Sequence, residues 1–248
     1  MKAIILAAGR GKRLKDFTED KPKCLNRIGG RTIFDRQITV LRSCGIDEII
    51  VVTGYRAEML KKPGVKTIFN PKWHNSNMVV SLLSAEKEFG EPAIVSYSDI
   101  VYEKSAIRGL VEEKEEAVVA YDLDWEALWR ARFTDPLEDA ESFKIGSDRR
   151  IKEIGRKANS LFDIQGQYMG LMRFSPLAFS WILEITRKET PDCLNRMDMT
   201  TLLQTTIQGG YPVYGMPVKG GWCEIDTARD LKLAERLCAE NKLGITVG

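Results

Sequence analysis

Apolar runs of strand length alternate with stretches of helical spacing through the first half of the chain. Lys2-Ala3-Ile4-Ile5-Leu6-Ala7 predicts a buried strand over 2–7. Ile33, Phe34, Ile38 and Leu41 recur at helical spacing and predict a helix within 31–44. The β-branched run 48–55 predicts a strand ending at Gly54-Tyr55, and 65–70 a shorter one ending at Asn70. A helix is expected over 77–89, with Met78, Leu82, Leu83 and Ala85 facing inward, and then a strand over 91–99 closing on Ser98-Asp99. This β-α-β alternation predicts a parallel sheet with helices on both faces. Ligands of such sheets sit beyond the carboxyl ends of the strands.

The second half is less regular. Strands are expected over 117–122, 168–174, 213–218 and 222–226, and a hairpin joins 143–145 to 151–154 around Ser147-Asp148. Helices are expected near 176–188, 198–208 and 228–240. The segment 124–141, rich in tryptophan and acids, fits neither period. The chain contains no internal repeat, low-complexity segment or long linker. We read 1–248 as one α/β domain with a Rossmann-like, mixed, mainly parallel sheet sandwiched by helices. Residues 1–115 form the regular half, and 116–248 a less regular half that covers its mouth.

Composition narrows the function. A length of 248 residues with 44% hydrophobic and 29% charged residues suits a full core and argues against disorder. The net charge of +2 argues against a general nucleic-acid binder. Five cysteines without a CxxC pair read as reduced thiols in a cytoplasmic protein, with no signal peptide and no membrane span. The single histidine, His74, disfavours histidine-rich metal sites and Ser-His-Asp catalysis and reads as a loop residue.

The first strand empties into Ala8-Gly9-Arg10-Gly11-Lys12-Arg13-Leu14, with Lys21-Pro22-Lys23 following. Glycines let the backbone approach phosphate oxygens, N–H groups point at them, and cations neutralise their charge. The spacing is not that of a Walker loop. Leu14 stands where a dinucleotide fingerprint needs its third glycine.

Together, Leu6-Ala7-Ala8-Gly9-x-Gly11-x-Arg13, Lys23, Ser98-Asp99 and Trp222-Cys223-Glu224-Ile225-Asp226-Thr227 resemble the nucleotidyltransferase superfamily that makes activated sugars and head groups. The resemblance runs from Met1 to about Leu233. The short chain, Asn75-Ser76-Asn77-Met78 and the Ser96–Ile100 strand end are most similar to small phosphocholine and phosphonate cytidylyltransferases.

The resemblance implies a Mg²⁺-dependent transfer of CMP from CTP to a small phosphate or phosphonate acceptor, with release of pyrophosphate. Residues 1–115 would be the nucleotide-binding half and 116–248 the acceptor-binding half. Gly9, Gly11 and Arg13 would cradle the triphosphate. Lys23 would hold the α-phosphate. Asp99 and Asp226 would bind Mg²⁺, with Glu224 on the same side of its strand as Asp226. Asp226 or Thr227 serves equally as a cap of the last helix. Leu6, Ala8 and Gly9 would abut the nucleotide. Asn77 and Ser81 would meet base or ribose, although Asn77 also reads as a plain N-cap.

Trp125, Trp129, Glu138, Asp139, Glu141 and Gln167 are candidates for the acceptor's head group, because aromatic faces and carboxylates suit a cationic amine. Tryptophan packing and a solvated acidic loop explain the same residues. A sugar-1-phosphate nucleotidyltransferase using UTP, dTTP or GTP is the nearest alternative, and a non-catalytic nucleotide-binding regulator the next.

Overall fold

In the computed structural model, which describes residues 1–243, the apolar run at the N-terminus is the central strand β1 (Lys2–Ala7). The last five positions of the single-domain reading, 244–248, lie outside the described residues. The chain continues through β2 (Arg27–Ile28), β3 (Arg31–Thr32), α1 (Ile33–Ser43), β4 (Ile49–Thr53), β5 (Val65–Phe69), α2 (Met78–Ser84), β6 (Ala93–Tyr97), β7 (Ile100–Tyr102) and α3 (Lys104–Glu112). The second half contributes β8 (Ala117–Asp122), α4 (Trp125–Arg132), β9 (Glu141–Ile145), β10 (Ile151–Lys157), β11 (Gln167–Phe174), α5 (Pro176–Thr186), α6 (Pro191–Arg196), α7 (Met199–Gln208), β12 (Tyr214–Val218), β13 (Trp222–Glu224) and α8 (Ala228–Ala239).

Seven strands form one sheet in the order β12-β8-β11-β6-β1-β4-β5. Only β11 runs against its neighbours, so the sheet is mixed and mainly parallel. The carboxyl ends of β1, β4, β5 and β6 therefore share one edge. The reversed β11 brings its first residues, Gln167 and Tyr168, to that same edge, where they pair with Asp122 and Tyr121.

Alternation along β1 divides the core. Ala3, Ile5 and Ala7 pack on Phe34, Ile38 and Leu41 of α1 and on Ala106, Ile107 and Leu110 of α3. Ile4 and Leu6 pack on the opposite face with Val79 and Leu82 of α2, Phe179 and Ile182 of α5, and Leu202 and Leu203 of α7. Both faces of β1 are buried, so a one-residue slip would exchange Ala3 and Ala7 on one side for Ile4 and Leu6 on the other, opening voids against one helix layer and clashes against the opposite one.

The structure departs from the sequence reading in several places. The helix expected over 77–89 ends at Ser84 and gives way to a 3₁₀ turn, Glu86–Glu88. Val79 and Ser81 are buried in it, whereas Met78 and Leu83 are only half-buried. The segment 124–141 resolves into α4 and a short turn, Pro136–Glu138. Strand β7 and helices α3 and α6 were not anticipated. The later strands β8, β11 and β12 do not cover the first half but extend its sheet. The 143–154 hairpin forms as expected, as β9 and β10. Among the described residues no helix is long and apolar enough to cross a membrane, and all five cysteines are free thiols.

Candidate active site

The loop after β1 is shaped by a glycine. Gly11 has φ 72°, and a Cβ there would stand 2.9 Å from Cβ and Cδ of Lys23. Any other residue would both strain the backbone and push Lys23 aside. A Cβ on Gly9 would meet nothing within 4 Å, so that position opens onto the cavity. The carboxyl end of β4 lies against the same loop. Tyr55 N donates to Ala8 O at 2.9 Å, and a Cβ on Gly54 would lie 2.6 Å from that oxygen and 2.4 Å from Trp73 Cβ.

Lys23 follows Pro22 in a one-turn 3₁₀ helix, Lys23–Leu25, braced by Asn26 Nδ2 donating to Lys23 O at 2.9 Å. Its ammonium is buried and bridges two carboxylates. It donates to Asp99 Oδ2 at 2.7 Å and to Asp226 Oδ1. Arg13 Nη2 reaches the other Asp226 oxygen at 2.8 Å. Burial pulls the Lys23 ammonium down, but Asp99 and Asp226 outweigh it and hold its pKa above the usual range. The lysine is thus a fixed cation in a largely water-excluded place.

Two devices bring the distant aspartates together. Gln37 of α1 is buried, and its Nε2 donates to Tyr97 O and Ile100 O, both at 2.7 Å, gripping the turn that carries Ser98 and Asp99. Beyond that turn β7 pairs antiparallel with β13, and Ile225 N donates to Asp99 O at 2.8 Å. Asp99, Glu224 and Asp226 each place a carboxylate oxygen within 4.8 Å of the others. Asp99 Oδ1 is buried and has no hydrogen-bond partner among the described residues. Burial and the charge of Asp226 push Glu224 up to about 8, with Arg132 opposing.

Two adjoining cavities meet at Arg13, Asn77, Met78, Tyr97 and Asp226. The first is lined by Leu6, Ala8, Gly9, Gly11, Lys23, Trp73, Ser76, Ser81 and Asp99. Every predicted nucleotide, catalytic and metal residue thus lines it. Asn77 also acts as the N-cap of α2, its Oδ1 accepting from Met78 N at 2.8 Å. Thr227 and Asp230 form the capping box of α8, which leaves the Asp226 carboxylate free to face the cavity.

The second cavity, about 390 Å³, holds Trp129, Asp139, Glu141 and Gln167 of the predicted acceptor set. Gln167 is occupied structurally: its amide donates to Glu141 O at 2.6 Å and accepts from Glu141 N at 3.3 Å. Two predicted acceptor residues fall elsewhere. Trp125 is buried in the core, with its ring 6.0 Å from that of Trp129. Glu138 is exposed and caps its own turn through Asp135 N at 3.3 Å.

Several lining residues were not singled out from sequence. Trp73 packs against Tyr55 with the rings tilted by 53° and their centres 5.6 Å apart, and it walls the first cavity. Asp198, Thr200 and Trp222 line the second. The signal for Trp222 was its place in the late motif. Asp198 read only as a helix start.

Known proteins match most of this chain. The MobA-like NTP transferase domain matches residues 3–159. A CTP:phosphoglutamine cytidylyltransferase of Campylobacter jejuni is 38% identical over 250 residues, covering 94% of this chain and 98% of that protein. The CTP:phosphocholine cytidylyltransferase of Streptococcus pneumoniae superposes with a TM-score of 0.73 at 23% identity, over 95% of this chain and 98% of that one. The inositol-1-phosphate CTP transferase of T. maritima gives 0.77 at 21% identity, over 99% and 97%. At those identities the two structures speak for the shared nucleotide-diphospho-sugar transferase-like fold alone. With the matching domain spanning most of the chain and a relative aligned end to end, the protein belongs to the MobA-like NTP transferase family and is a nucleotidyltransferase.

Proposed function

We propose that the protein moves CMP from CTP to a small phosphorylated acceptor and releases pyrophosphate. The observation that carries this reading is the convergence of Lys23, Asp99 and Asp226 at the edge where the glycine loop opens. The full-length relative that uses CTP supports the choice of nucleotide.

The acceptor oxygen of a phosphate is already an anion, so the transfer needs no general base. The chain's task is to screen like charges and align two anions. Lys23 supplies a permanent cation for the α-phosphate, and Arg13, exposed and at the cavity mouth, one for the distal phosphates. Gly9 and Gly11 line the same space. No histidine lines either cavity.

A divalent cation fits the carboxylate cluster, an all-oxygen donor set with one buried, unpartnered acceptor in Asp99 Oδ1. Asp99 and Asp226, assisted by Glu224, would hold Mg²⁺, which when bound supplies positive charge beside the reacting phosphates.

The division of labour follows the two halves of the chain. Apart from Asp226, residues 1–115 provide the whole lining of the first cavity, and 116–248 provide most of the second. Glu141, Asp139 and Asp198 beside Trp129, Tyr97 and Tyr168 suit an acceptor with an ammonium group. Phosphoglutamine is therefore the first acceptor to try, then phosphocholine and an aminoalkylphosphonate.

Pyrophosphate release measured over a panel of CTP, UTP, dTTP and GTP against these acceptors and hexose 1-phosphates tests the reading. Turnover is expected with CTP and a phosphorylated amine. Turnover confined to UTP, dTTP or GTP with a hexose phosphate would refute it.

A further inference from the structure

Cytosine and uracil share a shape and differ in polarity. N3 of cytosine accepts a hydrogen bond, whereas N3 of uracil carries a proton and donates one. A site that separates them must therefore fix the direction of a hydrogen bond.

The first cavity is charged at one end, where Lys23, Arg13, Asp99 and Asp226 meet the glycine loop. The rest of its lining is uncharged and includes Trp73, Ser76 and Ser81, the last two joined through Asn70, and this part suits the base. Ser81 belongs to α2, where a serine commonly donates its proton back to the carbonyl four residues earlier. Ser84 does so, donating to Val80 O at 2.9 Å. Ser81 does not. Its Oγ instead accepts from Asn70 Nδ2 at 3.1 Å.

Asn70 lies just past β5 and is 1% exposed. Its amide cannot be turned over without loss, because Oδ1 accepts from Lys72 N at 2.9 Å. Nδ2 consequently faces α2, and it also reaches Ser76 Oγ at 3.3 Å. A hydroxyl has one proton and two lone pairs, so with one lone pair taken by Asn70 a base that accepts the proton satisfies Ser81, whereas a base that donates to the second lone pair leaves that proton stranded. Among the described residues no acceptor takes the Ser81 proton.

We infer that Asn70 is a positioning residue that sets nucleotide specificity without touching the nucleotide. By donating to Ser81, whose proton finds no acceptor among the described residues, it biases that hydroxyl to donate toward the base, which matches N3 of cytosine and opposes the N–H of uracil. This rests on the cytidylyltransferase reading of the cavity.

The substitution Asn70→Asp keeps the side chain's shape and the acceptor for Lys72 N but replaces the donating NH₂ by an oxygen. Ser81 then gives its proton to the introduced carboxylate and turns a lone pair to the base. The test is the ratio of kcat/KM for CTP to that for UTP, with one acceptor, in wild type, Asn70→Asp, Ser81→Ala and the double variant. Wild type is expected to favour CTP, and Asn70→Asp to lower the ratio about tenfold or more, the scale of one reversed hydrogen bond. In the Ser81→Ala background Asn70→Asp is expected to change the ratio no further. General damage to folding lowers both rates and leaves their ratio alone. Should Asn70→Asp melt below the assay temperature, Asn70→Ala and Ser81→Ala carry the test, each with a lowered ratio expected. A CTP-selective wild type whose ratio survives these substitutions overturns the inference and leaves the cytidylyltransferase reading standing. A wild type that does not favour CTP overturns that reading itself.

Discussion

Glu141 holds a carboxylate against its own interest. Burial, then the charge of Asp198, raise its pKa from the usual 4.5 to about 7, with Thr200 partly offsetting them and Asp139 adding to them. Between those two pH values the folded protein keeps a proton that the unfolded chain has released. Stability from this group is therefore full below about 4.5 and is lost as pH rises through about 7. Glu141→Gln removes the effect. Thermal melts across this range are expected to show equal Tm for the two proteins at the acid end, and a growing advantage for Glu141→Gln toward neutral pH. A constant difference would contradict it. At this scale the sequence was informative wherever chemistry sat at the end of an apolar strand. Gly9, Gly11, Asp99 and Asp226 all do, and Lys23 was reached through its motif. Asn70 read only as a strand end, because its role depends on which way its amide faces, and that is decided by Lys72 N and Ser81, not by residue type.

Helix α4 shows what spacing hid. Trp125, Trp129 and Arg132 lie on one buried face, and a cation on an apolar face calls for a buried partner. Arg132 finds two. Its Nε donates to Asp230 Oδ1 at 3.0 Å and its Nη2 approaches Glu224 Oε2 at 3.0 Å, while the guanidinium sits 5.0 Å from the centre of the Trp129 ring. Asp230 in turn accepts from Asp226 N at 3.1 Å and Thr227 N at 2.8 Å. Helices α4 and α8 thus clamp the carboxylate cluster from behind. Arg132→Met is expected to destabilise the protein by about 3–5 kcal/mol in denaturant titration, because it strands Asp230 and Glu224 without their cation. Arg132→Lys should recover part of the loss. A change near zero in both would show that the clamp is dispensable. The tryptophans of 124–141 had suggested ligand contact, but at Trp125 the packing role prevails. Strand β7 escaped notice because its three residues, directly after Ser98-Asp99, are too few to show a period.

For the whole molecule, the order of the sheet decides where chemistry can occur. Parallel strands β1, β4, β5 and β6 aim four loops at one edge, and the reversed β11 adds a fifth element there. The alternating pattern of the first half made that edge legible. The second half was not, since the placement of β8, β11 and β12 depends on long-range pairing that no local period records. The ribbon of β7 and β13 then joins residues more than a hundred positions apart into one cluster of charge. Nucleotidyl transfer is expected to occur at that cluster. Pyrophosphate release at saturating CTP and acceptor, compared among wild type, Lys23→Ala and Asp226→Asn with melting curves to establish folding, tests it most directly. Folded variants are expected to lose roughly 10²–10³-fold in kcat, the scale of removing a preorganised charge from a transition state. Folded variants that turn over at the wild-type rate would contradict the account.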